Sequence, residues 1–325
     1  MITFQETLDK INREIDKISY HRPPVELYDP IRYILSLGGK RIRPALVLLA
    51  CNLYEDDTDK AIPTALGWEI FHNFTLMHDD LMDRANVRRG KTTVHKKWND
   101  NTAILSGDAM FILSCRYIAQ SPDNCLKNIL ELFGNTAAEI CEGQQYDMNF
   151  ESRMDVSEAE YLEMIRLKTA VMLGACLKSG AIVAGAPSED ADRLYDFGIN
   201  IGLAFQLKDD LLDVFGNPEV FGKNIGGDIL CNKKTFLLIN ALNKVEGESK
   251  RVLLHWLSVS DPVLNEQKVR AVTGIYNELK LKELSEQKMQ YFFDEAVMSL
   301  KKLSVPDAKT EVLHQLSLSL MQRNI

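Results

Sequence analysis

The sequence lacks long apolar runs, and it has few of the residues that interrupt regular structure. Its 325 residues include 18 glycines and 10 prolines, too few for a collagen-like or low-complexity chain. The longest uninterrupted apolar run covers residues 45–51, whereas a bilayer span needs roughly 20 apolar residues. The N-terminal Met-Ile-Thr-Phe-Gln-Glu lacks the basic start and apolar core of a secretion signal. These absences predict a cytoplasmic protein with no stable membrane insertion.

An excess of basic charge is also missing. The chain carries 38 basic and 46 acidic residues, for a formal charge of −8. A surface that binds nucleic acid has to be basic to match the phosphates, so the acidity predicts no nucleic-acid partner. A small phosphorylated ligand remains compatible, provided that a local basic cluster or a bridging metal ion neutralises it.

The cysteines show neither the spacing of a metal finger nor that of a redox motif. Most of them lie in apolar periodic stretches, where a free thiol behaves as a small hydrophobic group. We therefore expect buried free thiols at all six positions: Cys51, Cys115, Cys125, Cys141, Cys176 and Cys231.

Helical periodicity is the dominant signal along the chain. Apolar residues recur at intervals of three and four, as in Phe4, Leu8, Ile11 and Ile15. The same rhythm runs through residues 61–83, 102–119, 124–146, 158–183, 190–214, 235–243 and 269–303. Strand-like alternation is hard to find, and so are linkers and solenoid repeats. The sequence therefore predicts an all-α fold and a single domain over residues 1–325.

Two similar acidic segments end helical patterns. One reads His-Asp-Asp-Leu-Met-Asp from His78, and the other reads Lys-Asp-Asp-Leu-Leu-Asp from Lys208. On a helix, the first and last aspartates of each segment stand one turn apart on the same face. Like charges disfavour each other there, and the partial negative charge of a helix C-terminus adds to the cost. Oxygen ligands at this density predict a hard divalent ion, and Mg²⁺ suits a site shared with phosphates.

Basic clusters accompany the acidic segments. Gly-Gly-Lys-Arg-Ile-Arg-Pro from Gly38 leads into a helix, whose N-terminus together with Lys and Arg makes an anion site. Arg88-Arg89-Gly90-Lys91 follows the first acidic segment, while Gly222-Lys223 and Lys233-Lys234 follow the second. Each cluster alone could be a solvated loop, but their placement favours a mixed site of metal, phosphate and basic side chains.

Together and in this order, these motifs resemble those of the trans-isoprenyl diphosphate synthases, also called the polyprenyl synthetase family. Gly107-Asp108, Lys168-Thr169, Phe205-Gln206 and Gly227-Asp228 extend the resemblance, which covers at least residues 38–235. It implies an all-α fold around a deep central cavity, and an enzyme that usually works as a homodimer. Such enzymes join an allylic diphosphate (dimethylallyl, geranyl or farnesyl) to isopentenyl diphosphate.

The resemblance also implies a role for each site residue. The metal site is expected to bind Mg²⁺, as three ions, on the allylic diphosphate. Its residues are Asp79, Asp83 and Asp209, with Asp80, Asp210 and Asp213 beside or behind them. The same diphosphate is gripped by Arg88, Lys223 and Lys233. The reacting carbons face Lys168, Thr169 and Gln206. Isopentenyl diphosphate, which binds without metal, is held by Lys40, Arg43, His72 and Arg89. His72 is thus expected to contact phosphate and not to act as a base.

The residues upstream of Asp79 are expected to set the chain length of the product. A helical turn rises about 5.4 Å, which is comparable with one extended isoprene unit. Phe74 and Thr75 lie in the first turn upstream, and Phe71 lies one turn deeper. An aromatic residue beside a small one resembles short-chain family members that make C15 or C20 products, and Phe71 argues against C30 and above. The alternative interpretation is that these phenylalanines are only core residues.

Three other functions compete with this one. A longer-chain polyprenyl diphosphate synthase would share every motif except the residues that limit product length, Phe71, Phe74 and Thr75, which we call the ruler residues. A class I terpene cyclase shares an aspartate-rich metal site but lacks the Gly-Gly-Lys segment present here. A non-catalytic partner subunit would lose aspartates or basic residues, and both acidic segments are intact.

Overall fold

The structure, a computed structural model, describes residues 2–18, 22–216 and 226–322. Its first half consists of α1 (Phe4–Asp16), α2 (Val25–Ser36), α3 (Ile42–Asn52), α4 (Ile62–Met82), α5 (Val94–Lys97), α6 (Asp100–Ile118) and α7 (Leu126–Glu151). Then come α8 (Glu158–Ile165), α9 (Val171–Ala184), α10 (Ser188–Phe215), α11 (Gly227–Leu230), α12 (Phe236–Lys244), α13 (Gly247–Ser258), α14 (Asn265–Glu278), α15 (Leu281–Lys301) and α16 (Asp307–Met321). The predicted all-α class is confirmed.

The chain divides into two compact units. The first comprises Met1–Asn135, Ala175–Tyr195 and Leu303–Val312. The second comprises Thr136–Gly174, Asp196–Lys302 and Leu313–Ile325. The single domain expected over residues 1–325 stays a prediction.

Local sequence signals explain where the first unit's helices begin and how they pack. Thr3 and Glu6 form a reciprocal capping box at the start of α1, which satisfies amide groups that have no partner within the helix. Helices α4 and α6 approach closely because glycines lie at two of their contacts. A Cβ atom on Gly67 would come within 2.7 Å of Ile118, and one on Gly107 within 2.1 Å of the His78 ring. This packing holds the C-terminal end of α4, where the first acidic segment lies.

The second unit has its own apolar core. Buried residues of α8, α10, α12 and α14 contribute, among them Tyr161, Leu207, Leu211, Phe236 and Tyr276. Leu207 and Leu211 are one turn apart and face this core, while Asp209 and Asp213 are only partly buried. Burial of the apolar face therefore orients the second acidic segment.

Within the part of the chain that the structure describes, one helical stretch is long and apolar enough to cross a membrane on those two criteria alone. It runs from Glu158 to Ala184, and 72% of its most apolar window is buried inside the protein. The buried core helix of a soluble protein passes the same test, so length and composition do not make this stretch a membrane span.

The structure corrects two expectations and adds one short hairpin. The rhythm at 269–303 is interrupted between α14 and α15, where Lys280 adopts a left-handed conformation with φ of 53°. Among the cysteines, all of which are free, Cys141 and Cys231 are exposed, because the helical and turn positions they occupy face solvent. A two-residue antiparallel ladder joins β1 (Val87–Arg88) to β2 (Lys91–Thr92), although strand-like alternation is absent there. Turn chemistry, not alternation, makes that hairpin.

Candidate active site

The first acidic segment lies at the C-terminal end of α4. Asp83 caps the helix, and its amide donates to the Asp79 carbonyl at 2.9 Å. Asp79 is partly buried and Asp83 exposed, whereas Asp80 is buried. The two outer carboxylates are therefore one turn apart at the negative end of the helix dipole, where a bound cation would be stabilised.

Asp80 has a protein partner. Arg88 donates to its Oδ1 from Nε at 2.9 Å and from Nη2 at 2.6 Å, and lies 3.6 Å from Asp79 Oδ2. Burial raises the pKa of Asp80, although the guanidinium opposes that effect. Burial lowers the pKa of Arg88, but its hydrogen bond to Asp80 and the nearby carboxylates outweigh this and the net pKa is raised. Asp80 thus anchors Arg88 next to Asp79.

The hairpin that carries Arg88 also places Arg89. Its two central residues, Arg89 and Gly90, have φ of 52° and 74°, as a type I′ turn requires. Arg89 donates to the Gly38 carbonyl, and a Cβ atom on Gly39 would lie 2.7 Å from the Arg89 guanidinium carbon. Glycine at position 39 therefore lets the guanidinium pack onto the loop before α3. The sequence-predicted clusters at Gly38 and Arg88 are brought together here.

Arg41, which the sequence analysis did not assign, organises that loop. It is buried in a left-handed conformation with φ of 46°, a geometry that is costly for a residue with a side chain. Its guanidinium donates to Glu69 at 2.5 Å and to the Leu35 carbonyl at 2.7 Å. Asn73 donates to Glu69 as well, at 2.9 Å. A buried ion pair therefore ties the loop to α4, and the signal for it is Glu69 within an apolar helical pattern.

Arg43 and His72 form the next layer of the site. Arg43 Nη1 lies 3.2 Å from His72 Nε2. Because a guanidinium only donates hydrogen bonds, Nε2 must accept and the ring proton must sit on Nδ1. Burial, reinforced by the charges of Arg43, Arg89, Arg88 and Arg41, lowers the pKa of His72 well below its ordinary value. His72 is therefore neutral at pH 7.

These residues make the first unit's site strongly cationic. Burial lowers the pKa of Arg43 and of Arg89, since the charged forms lose hydration. Lys40, in the loop before α3, is exposed. Several guanidinium groups near one buried Glu69 make a site for an anion with multiple charges. Arg43, His72 and Arg89 thus make one cationic region, and the binding role expected for these residues and Lys40 stays a prediction.

In the second unit, Lys168 and Thr169 lie on a π-helical turn. This turn, Arg166–Ala170, connects α8 to α9, and such bulges are frequent at functional sites. A Cβ atom on Gly143 would come within 2.4 Å of the Lys168 amide nitrogen, so glycine allows α7 to pass close to the turn. Lys168 donates to Asp147 Oδ2 at 2.6 Å. The apolar sequence around Lys168 predicts that its ammonium group has a partner, but it does not indicate that the partner is Asp147, which lies on another helix.

A hydrogen-bonded chain connects Thr169 to the second acidic segment. Thr169 Oγ1 donates to Gln206 Oε1 at 3.3 Å, and Gln206 Nε2 donates to Asp210 Oδ1 at 3.0 Å. The Tyr161 hydroxyl donates to the other oxygen, Oδ2. Burial raises the pKa of Asp210, with Lys233 opposing the shift. Sequence reasoning missed Tyr161, although a tyrosine in an apolar helical stretch needs a partner for its hydroxyl.

The other residues of the second segment face a different set of groups. Asp209 is partly buried. Asp213 accepts from the Asp228 amide at 2.9 Å, and Lys233 Nζ lies 3.9 Å from Asp228 Oδ1. The structure therefore brings Asp213, Asp228 and Lys233 together, while Lys223 lies outside the described residues.

The donor set suits a magnesium ion that is shared with phosphate. Asp79 and Asp83 offer hard carboxylate oxygens at the end of α4. Within residues 2–18, 22–216 and 226–322, no three His, Cys, Asp or Glu side chains are arranged to hold a metal by themselves. Mg²⁺ commonly takes one or two carboxylates and completes its coordination with water and substrate phosphates. The residues fit that ion.

The predicted ruler residues lie in an aromatic cluster of the first unit. Phe71 is 1% exposed, and its ring centroid lies 5.5 Å from that of Phe74 and 5.2 Å from that of Phe133. Phe74 is partly buried and lies 5.5 Å from Phe111. Thr75 donates to the His72 carbonyl at 2.9 Å. Phe71 is therefore a core residue, whereas Phe74 is the more accessible of the two.

Comparison with known proteins identifies the family. The polyprenyl synthetase family model matches residues 24–276. The geranylgeranyl diphosphate synthase of Methanosarcina mazei is 41% identical over 237 residues, which are 72% of this chain and 73% of that protein. The geranylfarnesyl diphosphate synthase of Aeropyrum pernix is 34% identical over 293 residues, 88% of this chain and 90% of that protein. A crystal structure of a geranylgeranyl pyrophosphate synthase covers 100% of both chains at 40% identity, with a TM-score of 0.95.

The chain belongs to the polyprenyl synthetase family, and it is a prenyltransferase of the short-chain type. Enzymes of this family are generally Mg²⁺-dependent and use isopentenyl diphosphate and an allylic diphosphate. The resemblance drawn from the sequence motifs is confirmed, and with it the enzyme class.

Proposed function

We propose that this prenyltransferase condenses isopentenyl diphosphate with an allylic diphosphate to give a C15–C20 prenyl diphosphate in the cytoplasm, with C20 as its main product. The observation that carries the proposal lies within the first unit. There, Arg88 links the acidic end of α4 to a hairpin whose Arg89 donates to the Gly38 carbonyl in the loop before α3, and the positive charge of Arg89 acts on His72 beside Arg43. A metal–diphosphate site and a metal-free diphosphate site would need these two groups of residues. The geranylgeranyl diphosphate synthases among the relatives support the C20 length, although geranylfarnesyl diphosphate synthases are found among them as well.

The allylic diphosphate is assigned to the aspartates and their basic neighbours. Asp79, Asp83 and Asp209 hold Mg²⁺, expected as three ions, and Asp80, Asp210 and Asp213 support them. Bound Mg²⁺ supplies Lewis-acid stabilisation of the leaving diphosphate. Arg88, anchored by Asp80, places a second positive charge where negative charge develops, and Lys233 and Lys223 add to it.

Isopentenyl diphosphate is assigned to the cationic region of the first unit. Arg43 and Arg89 are partly desolvated, so their attraction to a diphosphate is stronger than it would be in water. Neutral His72 accepts a hydrogen bond from Arg43 at Nε2, so its proton is on Nδ1 and is free to be donated to the diphosphate without a proton transfer. Lys40, which is exposed in the loop before α3, is assigned to the same diphosphate.

The allylic cation is assigned to oxygen atoms of the second unit. Thr169 and Gln206 present a hydroxyl and a carbonyl, and Lys168 is held by Asp147. Carbonyl dipoles that are fixed before the reaction stabilise positive charge without reorganising. A proton then leaves the condensed intermediate. The released diphosphate is basic enough to take it, so neutral His72 has no part in that transfer.

Helix α6 supports the proposal of a homodimer. Ile104 and Phe111 are seven residues apart, as are Leu105 and Ile112, and all four are at least 37% exposed. Residues at this spacing lie on one side of a helix. An apolar stripe of this kind is typical of a surface that packs against a second chain.

Incubation of the purified chain with Mg²⁺ tests the function. Isopentenyl diphosphate is supplied with dimethylallyl, geranyl or farnesyl diphosphate, and products are identified by mass spectrometry. We expect C20 diphosphate from each starter, and none after chelation of the metal or in an Asp83→Ala variant. Cyclised hydrocarbon formed without isopentenyl diphosphate would indicate a terpene cyclase. Inactivity of the chain alone would favour a partner subunit, and products of C30 or longer would favour the long-chain alternative.

A further inference from the structure

The orientation of one amide group in the second unit is decided by two buried residues. Gln206 has a carbonyl end that accepts hydrogen bonds and an amino end that donates them. The two ends have similar shapes, so the hydrogen-bond partners decide which way the amide points. Asp210, one turn further along α10, offers its Oδ1 atom as an acceptor. Gln206 Nε2 therefore faces Asp210 Oδ1, at 3.0 Å, and Oε1 faces the Thr169 hydroxyl, at 3.3 Å.

Tyr161 completes this arrangement from α8. Its hydroxyl donates to Asp210 Oδ2, so both oxygens of the carboxylate accept a hydrogen bond from a protein side chain. Tyr161 is 1% exposed and Asp210 4% exposed. A carboxylate with both oxygens committed in the protein interior is poorly placed to bind a metal ion as well. It is well placed to keep the Gln206 amide from rotating.

We infer that Tyr161 and Asp210 are positioning residues that hold the carbonyl oxygen of Gln206, and not its amino group, toward the allylic cation. The inference rests on the proposed role of Gln206 at the reacting carbons. An amide rotated by half a turn would direct its positive end at developing positive charge. The same side chain would then oppose ionisation of the substrate instead of assisting it. Asp210 thereby leaves the predicted set of metal ligands and acts through Gln206.

Removal of the Tyr161 hydroxyl is the first test. In Tyr161→Phe, we expect kcat to fall roughly tenfold, which corresponds to about 1.4 kcal/mol and is typical of one hydrogen bond to a charged group. The KM for each diphosphate and the Mg²⁺ concentration that gives half-maximal rate should stay within about twofold, because neither substrate nor metal touches this residue. A large shift of the Mg²⁺ midpoint would instead make Asp210 a metal ligand and overturn the inference.

The chain offers a matched control. Tyr54 donates to Asp190 Oδ2 at 2.9 Å, and this tyrosine–aspartate pair belongs to the first unit and to no part of the proposed machinery. Tyr54→Phe removes the same kind of hydrogen bond, so it should leave kcat unchanged. Thermal unfolding of both variants measures the purely structural cost. A fall in kcat as large in Tyr54→Phe as in Tyr161→Phe would attribute the effect to stability and contradict the positioning role.

A double-mutant cycle with Gln206→Ala gives the decisive readout. If Tyr161 acts through Gln206, adding Tyr161→Phe to Gln206→Ala should lower kcat by less than about twofold, since the amide is already gone. A second tenfold loss would show that Tyr161 acts independently and would overturn the inference. Should Tyr161→Phe fail to fold, Asp210→Asn replaces it in the same cycle with the same expectations. If the wild-type chain forms no product, the proposed function is contradicted. If the wild-type chain is active and Tyr161→Phe has the same kcat, only this inference is contradicted.

Discussion

At the scale of single residues, burial and neighbouring charge determine the chemical state of the site. His72 is neutral because burial, and then the charges of nearby arginines, lower its pKa, and Asp80 forms an ion pair with Arg88. Arg41 keeps a left-handed backbone because Glu69 and a carbonyl bind its guanidinium. In each case the residue type is visible in the sequence, but its partner lies on another element.

The neutral state of His72 has a consequence for stability. Its folded-state pKa is depressed, so below about pH 6.5 the unfolded chain binds more protons at this position than the folded chain does. Neutral His72 therefore makes its full contribution to the free energy of unfolding above that pH. This contribution is lost as the pH falls toward the lower folded-state pKa of His72. We expect urea unfolding to show wild type losing stability relative to His72→Gln between pH 7 and pH 5. The exposed His255→Gln serves as control, and a constant difference between wild type and His72→Gln would contradict the prediction.

Phe74 is the residue at which product length should change. It is partly buried, so removal of its ring opens space at moderate cost, whereas truncating the buried Phe71 would cost roughly 3–5 kcal/mol. We expect Phe74→Ala to shift products from C20 to C25 and longer on chromatography, with Phe71→Ala added if the shift is small.

A control for that experiment is Phe293→Ala. Phe293 is also partly buried and lies next to a histidine, His314, in the second unit, much as Phe74 lies next to His78. This variant should leave product length unchanged. An identical product distribution in Phe74→Ala and wild type would assign Phe74 to the core alone.

At the scale of elements, glycines set how closely the helices approach around the functional residues. The π-helical turn with Lys168 passes close to Gly143, and Ala170 at its end packs against Gly202 of α10. A Cβ atom on Gly202 would come within 2.5 Å of the Ala170 Cα atom, which is backbone and has little freedom to shift. The approach of these helices holds Thr169 within reach of Gln206.

Gly198 provides the clearest test of this packing. A Cβ atom there would lie 2.5 Å from the Gly174 backbone, whereas Gly274 in α14 has nothing within 4 Å. We expect Gly198→Ala to lower the free energy of unfolding by about 1–3 kcal/mol through overpacking. Gly274→Ala should raise it by about 0.5–1 kcal/mol, because alanine favours helix more than glycine does. Denaturant titration of both variants measures the difference, and equal effects would contradict the packing argument.

At the scale of the whole molecule, the apolar stripe on α6 predicts self-association. A charge placed in that stripe should separate two chains, because Leu105 and Ile112 are 60% and 61% exposed. By light scattering, we expect wild type near twice the chain mass of 36.8 kDa and Ile112→Glu near that mass. Met298→Glu introduces the same charge at an exposed apolar position of α15 and should leave the dimer intact. A wild-type chain that is monomeric at micromolar concentration would refute the dimer.

Much of the fold and site follows from local patterns. The helices at 61–83 and 102–119 could be predicted because apolar periodicity and caps act within a few residues. The break at Lys280 could not, since apolar rhythm continues on both sides of it. The exposure of Cys141 and Cys231 also escaped prediction, because each lies beside apolar neighbours but on a solvent-facing position.

The sequence by itself determined the helical class and the family, because periodicity and motif order are properties of the linear chain. Only the tertiary structure decided which groups are paired. It placed Arg88 on Asp80, Arg43 on His72, and Tyr161 on Asp210. These partners come from different elements, and long-range packing brings them within hydrogen-bond distance. Such pairing sets protonation and orientation, which no spacing in the sequence encodes.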